Sequence, residues 1–133
     1  IGKINSDSKP QWGKMSAAEM LFHCHEPIRV SLGELKLKRG FMGFLFGGIA
    51  KKQVLSDKPF KKGLPTSPDF KPKSNHDLEK EKNKLIEIVS RLATEGPGAI
   101  TKEPHPFFGS LTPEEWNTIT WKHINHHLTQ FGE

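Results

Sequence analysis

The chain has 133 residues, 34% of them hydrophobic, and a formal net charge of +5. That length bounds it to a single domain, expected over residues 1–133, with a core that needs no covalent staples. A lone cysteine, Cys24, excludes an internal disulfide and fits a reducing, cytoplasmic compartment, and no apolar run is long enough to span a bilayer.

Residues 1–14 read as the tail of an earlier element followed by a turn. Ser6-Asp7-Ser8-Lys9-Pro10 is loop chemistry, and Trp12 is placed to anchor it to the body. The chain opens at Ile1 rather than Met and shows no secretory signal, so residues upstream of it are expected. A helix then starts at Ser16, where Ser16 and Glu19 form a capping box and Met15 faces Met20 as a hydrophobic staple. Leu21, Cys24, Ile28, Leu32 and Leu35 give it an apolar stripe reaching about Leu37. Pro27 lies inside it, cannot donate to the carbonyl of His23, and should bend the helix.

Charge is unevenly spread. Residues 36–73 hold ten Lys or Arg against Asp57 and Asp69, a net of +8 that leaves about −3 for the rest. A stretch of this kind marks either an anionic partner or a solvated loop kept soluble by lysine. Within it, Phe41 to Lys52 reads as a short helix or an apolar cover, with Gly40, Gly43, Gly47 and Gly48 weakening the helix. Residues 57–72, with Pro59, Pro65, Pro68 and Pro72, should be irregular. A further helix is predicted from Asn75 to Thr94, with Leu78, Leu85, Ile88, Val89 and Leu92 inward and the Glu and Lys residues of 79–84 wet. Gly96-Pro97-Gly98 stops it, and residues 99–110 form a loop containing His105-Pro106-Phe107-Phe108-Gly109. His76, at a helix start, should face solvent.

The last helix is the best marked. Thr112 is a good N-cap, Pro113 suits the first helical position, Glu115 completes a capping box, and Leu111 and Trp116 form a staple. Trp116, Ile119, Thr120, His123, His127 and Gln130 fall along one side, with Trp121, Ile124, Leu128 and Phe131 continuing the inward surface. Thr118, Lys122, Asn125 and Thr129 face water, and His126 sits at the rim. Two histidines one turn apart on a buried face must be hydrogen-bonded or metal-bound, and His-x-x-x-His is a ready chelate for zinc, nickel, iron or copper. It is not the zincin motif, because Ile124 stands where a catalytic Glu would follow the first His. With no alternating strand pattern and no repeat, the fold class is all-α, a helical bundle.

Four stretches together have a family look: Trp-Gly-Lys-Met-Ser-x-x-Glu-Met-Leu-x-His-Cys (12–24), His-Pro-Phe-Phe-Gly (105–109), Leu-Thr-x-x-Glu-Trp (111–116) and His-x-x-His-His-Leu-x-Gln-Phe-Gly (123–132). They resemble a domain-of-unknown-function branch of the DinB/YfiT-like superfamily, over nearly the whole chain. The resemblance implies a four-helix bundle whose first helix is truncated here, with a divalent-metal site made by three histidines. Carried over by position, the ligands are His23, His123 and His127, and Gln130 matches the glutamine that usually follows. Helical spacing sets His23 and His25 roughly 200° apart, so both cannot serve one ion. A wheel mildly favours His25, and the family pattern favours His23.

Three imidazoles leave open positions on the ion, as in catalytic rather than structural sites. The resemblance therefore implies a metal-dependent transferase or hydrolase, with zinc or nickel as cofactor and an anionic low-molecular-weight thiol as a candidate partner. Glu19, His105 and Gln130 are candidates for the pocket, His105 either lining it or capping a helix end; no general base is identifiable beyond the candidates Glu19 and Glu26. The rival expectation is a non-catalytic metal-binding or stress-response module. Nucleic-acid binding through residues 36–73 is disfavoured, because no reader motif and no interleaved aromatics appear there. No membrane partner is expected, and a homodimer stays open.

Overall fold

The computed structural model describes residues 1–64, 66–72 and 75–133. Four α-helices follow in order: α1 (Ala17–Ser31), α2 (Phe41–Leu55), α3 (Leu78–Glu95) and α4 (Pro113–Gln130), with 3-10 turns at Pro68–Phe70 and Gly96–Ala99. Among the described residues there is no strand, only an isolated bridge between His105 and Gly109.

Capping chemistry sets where the helices begin. Ser16 Oγ accepts from the Glu19 N–H at 3.3 Å while the Glu19 carboxylate accepts from the Ser16 N–H at 2.7 Å. Thr112 and Glu115 repeat the exchange at 3.2 and 2.9 Å, with Pro113 at the first helical position. The side chain of Asp77 caps α3 through the Lys80 N–H at 2.8 Å. Each such cap contributes about 1 kcal/mol.

The end of α1 corrects the expected boundary. The helix stops at Ser31, not near Leu37, because Gly33 takes φ +73° and the N–H groups of Glu34 and Leu35 both turn back to the Arg29 carbonyl. A left-handed glycine of this kind closes a helix whatever apolar spacing continues beyond it. Pro27 is accommodated inside α1.

α1 is the central helix, packed on α3 along one side and on α4 along another. Ala17, Met20, Leu21, Cys24 and Ile28, three and four apart, meet Leu85 and Ile88 of α3, with Ile4 and Phe131 completing the cluster. Burying a side chain of this size contributes roughly 1.5–3 kcal/mol, so this cluster holds the fold.

Polar residues also enter the α1–α3 seam, against expectation. Glu81 is buried rather than on the wet face, its charge met by Lys84 at 2.8 Å. His76 is not solvent-side: it stacks on Phe22 with ring centroids 4.3 Å apart, and its Nδ1 lies 3.6 Å from Glu81. The aromatic stack holds the ring there, although His76 Nε2 and Glu81 Oε2 are buried without a hydrogen-bond partner among the described residues.

The basic connection 36–73 contains α2, which settles the choice between helix and apolar cover. Pro65 and Lys73, both counted in that connection, lie outside the described residues. α2 docks on the 106–108 backbone through Gly43 and Gly47: a Cβ on Gly47 would fall 2.1 Å from the Phe107 carbonyl oxygen. After α2 the chain is irregular, and its 3-10 turn at Pro68–Phe70 comes to rest against α1.

Candidate metal centre

A flank of α1 beside its α3 contact carries His23, and α4 carries His123 and His127 one turn apart. The three rings form a near-equilateral triangle, with centroids 4.7, 4.8 and 4.7 Å apart. One ring nitrogen from each lies within 4.8 Å of the other two, and Nε2 of His23 is 2.9 Å from Nε2 of His123. His23 and His127 are buried and His123 partly so.

Hydrogen bonds behind the rings decide which nitrogens face inward. His23 Nδ1 lies 3.1 Å from the Phe70 carbonyl, which only accepts, so Nδ1 carries the proton and Nε2 the lone pair. Gln130 Nε2 donates to the Trp12 carbonyl at 2.6 Å, which fixes the amide and leaves Oε1 as acceptor. His127 Nδ1 must therefore donate to that oxygen, at 2.8 Å, and its Nε2 is again a bare lone pair. A proton on His123 Nε2 can satisfy one of these two acceptors and no more. A cation placed among the three nitrogens satisfies all of them.

Electrostatics point the same way. Burial is the largest cause lowering the pKa of His23, of His123 and of His127, the last to about 4. His23 lowers His123 and His127 further, and His127 lowers His123 as well. At neutral pH the centre is thus three uncharged imidazoles with lone pairs available, the form in which histidine ligates metals. Among the described residues no carboxyl or thiol group joins them: Cys24 is in the α1–α3 core, its Sγ 3.7 Å from Met20 Sδ, and burial pushes its thiol pKa up.

The remaining candidates are distributed as follows. Gln130 stands directly behind His127, in the orienting position characteristic of metal-ligand imidazoles. Glu19 spends its carboxylate on the Ser16 cap. His25 is turned to Glu26 Oε1 at 3.1 Å, and Glu26 in turn to Arg29 at 3.1 Å. His105 caps its own turn: Nδ1 accepts from the N–H groups of Phe107 and Phe108 at 3.0 and 3.1 Å, and the ring packs on Trp116. His126 is half-buried, edge-on to Trp12 and tilted against Phe60.

An all-helical protein with a buried three-histidine cluster able to take a metal ion is the class that fold and site define. The chain belongs to the family described as Protein of unknown function (DUF1569), which matches residues 5–133. No curated protein and no solved structure matches it.

Three contributors escape sequence reasoning. Phe70 orients His23 through a main-chain oxygen, which no side-chain pattern announces. Gly13 lets the Gln130 amide approach, since a Cβ there would fall 2.5 Å from Gln130 Nε2. Lys122, expected in water, is only 9% exposed, and its Nζ donates to the carbonyls of Val54, Ser56 and Lys58 at 2.8, 2.5 and 2.8 Å. It ties the end of α2 to α4 beside His123, complementing the negative end of a helix dipole. Trp121, expected inward, is 64% exposed instead.

Replacing Lys122 by Met leaves three carbonyls without their donor, and we expect a loss of about 2–4 kcal/mol in urea denaturation. An unchanged midpoint would contradict the structural role. The histidines also set an acid limit. His105 is pushed to about 4 by burial, against an ordinary value of 6.5, and His127 likewise. The unfolded chain then binds more protons than the folded one between those values, so stability is full above about pH 6.5 and falls as pH drops toward 4. Melting temperatures of metal-free protein should decline across that window; a flat profile would refute it.

Proposed function

We propose that the chain is a DinB/YfiT-like helical bundle that holds a divalent cation, zinc or nickel in preference to others, on His23, His123 and His127. The observation that carries this is the pair of Nδ1 hydrogen bonds that turns two lone pairs toward a third imidazole. Neutral rings arranged to face one another are a chelating set for borderline metals. The motifs at 12–24, 105–109 and 123–132 and their resemblance to that superfamily add support.

An ion with three imidazole ligands keeps room for a further ligand, and as a Lewis acid it would activate water near neutral pH or keep a thiol ionised. The function is accordingly a metal-dependent transferase or hydrolase, with an anionic low-molecular-weight thiol as the favoured co-substrate. Lys62, its Nζ 4.0 Å over the Trp12 ring and its charge felt at His126, supplies positive potential beside the centre for carboxylates of such a molecule. The chain's own groups hold and orient; Gln130 and the Phe70 carbonyl keep the imidazole tautomers in the ligating form. A cytoplasmic setting accords with the unpaired Cys24.

A second reading is favoured by one observation. Two surface hollows, one lined by Val30, Leu35 and Trp116 and the other by His25, Glu34 and Arg91, lie away from the three histidines. An ion held on His23, His123 and His127 with no substrate hollow beside it would clamp α1 to α4 without turning over a substrate. Chelation separates the two: loss of turnover on a thiol panel with a small drop in melting temperature supports the enzyme. A large drop with no turnover beforehand supports the clamp. Under both, elemental analysis of purified protein should find near-stoichiometric zinc or nickel that His123→Ala removes, and full metal content in that variant would end the proposal.

A further inference from the structure

α2 is packed inside out. An apolar helix ordinarily buries its large side chains and shows its small ones, yet here Gly43 and Gly47 form the seated line, pressed on the backbone of residues 106–108. The large residues point to solvent: Phe41 is 74% exposed, Phe44 and Ile49 71% each, and Met42, Leu45 and Phe46 about half. Gly47 cannot carry a side chain without displacing the Phe107 carbonyl, so the close seat and the outward aromatics are one arrangement. Helical spacing sets Phe41, Leu45, Ile49 and Lys52 opposite the glycine line. A contiguous apolar face of this size marks a contact surface.

Charge says what kind. Between Lys36 and Lys62 the only acid is Asp57, against eight Lys or Arg. Lys36 and Lys51 are paired with Glu103 and Glu115, while among the described residues Lys38, Arg39 and Lys52 have no acidic partner. Arg39 lies 5.8 Å from the Phe44 ring, and Lys52 continues the exposed stripe, so cations rim the apolar face at both ends. A second copy docking by the same face would bring these cations against their own kind. A nucleic acid would meet the lysines and leave the phenylalanines wet.

We propose that α2 is a docking helix for an anionic lipid surface, its aromatic face entering the boundary between headgroups and acyl chains while Lys38, Arg39 and Lys52 meet lipid phosphates. Among the described residues no helix is long and apolar enough to cross a membrane, and none needs to: α2 lies along the surface. Docking is independent of any metal on the three histidines.

Co-sedimentation of the full chain with vesicles tests this. Binding is expected to mixed phosphatidylglycerol–phosphatidylcholine vesicles, to weaken as salt is raised, and to be much weaker on phosphatidylcholine alone. The double variant Phe41→Ser, Phe44→Ser removes two largely exposed side chains that lie outside the core cluster. It should keep its melting temperature and lose at least about tenfold in partitioning. Failure to sediment with anionic vesicles, or equal binding by the variant, overturns the proposal. So does a concentration-dependent dimer in sedimentation equilibrium that the same variant dissolves, which would assign the face to a second copy.

Discussion

Two hydrogen bonds made on the far sides of His23 and His127 govern the rest. Each fixes a tautomer, and the consequence is that lone pairs from α1 and α4 converge on one point together with His123. Such convergence is costly for a protein that uses it for nothing, because buried imidazoles facing each other share too few protons to satisfy every acceptor. The surrounding architecture serves that arrangement. α1 is anchored in the α3 seam by Met20, Leu21, Cys24 and Ile28, so the flank beside that seam can present His23 at a fixed height. The Trp12 carbonyl and the bare Cα of Gly13 position the Gln130 amide, which positions His127.

Local chemistry was largely legible in the chain. Capping boxes at Ser16 and Thr112 and the Gly96 stop act within one turn of backbone, and they place α1, α3 and α4 with little help from tertiary contacts. His123 and His127 were legible for the same reason: helical spacing alone sets them on one face. The choice of His23 over His25 was not legible from angles. The family motif favours His23, and the structure brings His23 to the cluster while His25 is turned to Glu26.

What escaped depends on contacts between distant segments. Lys122 has partners 64 to 68 residues away, and a wheel that ranks lysine as polar sends it to water. His76 is likewise held by Phe22, a neighbour that only the folded chain supplies, and Glu81, whose Lys84 partner is one turn along its own helix, is buried only once the chain folds. α2 defeats pattern reading for another reason. Its glycines weaken helix propensity and yet are what allows it to seat, so propensity and packing point in opposite directions there. The early end of α1 at Gly33 shows the reverse case, in which a single left-handed residue overrides apolar spacing that runs on to Leu35.

Lys122 and His105 join these regions into one frame. His105 holds the 105–109 turn, that turn seats α2, and Lys122 fastens the end of α2 beside His123. The centre and the outward face of α2 therefore share a support while using different chemistry. X-ray absorption on protein loaded with zinc addresses the centre most directly. The account predicts a first shell of light atoms at about 2.0–2.1 Å with outer-shell scattering from three imidazoles. A shell with sulfur, or with fewer than three imidazoles, would contradict it.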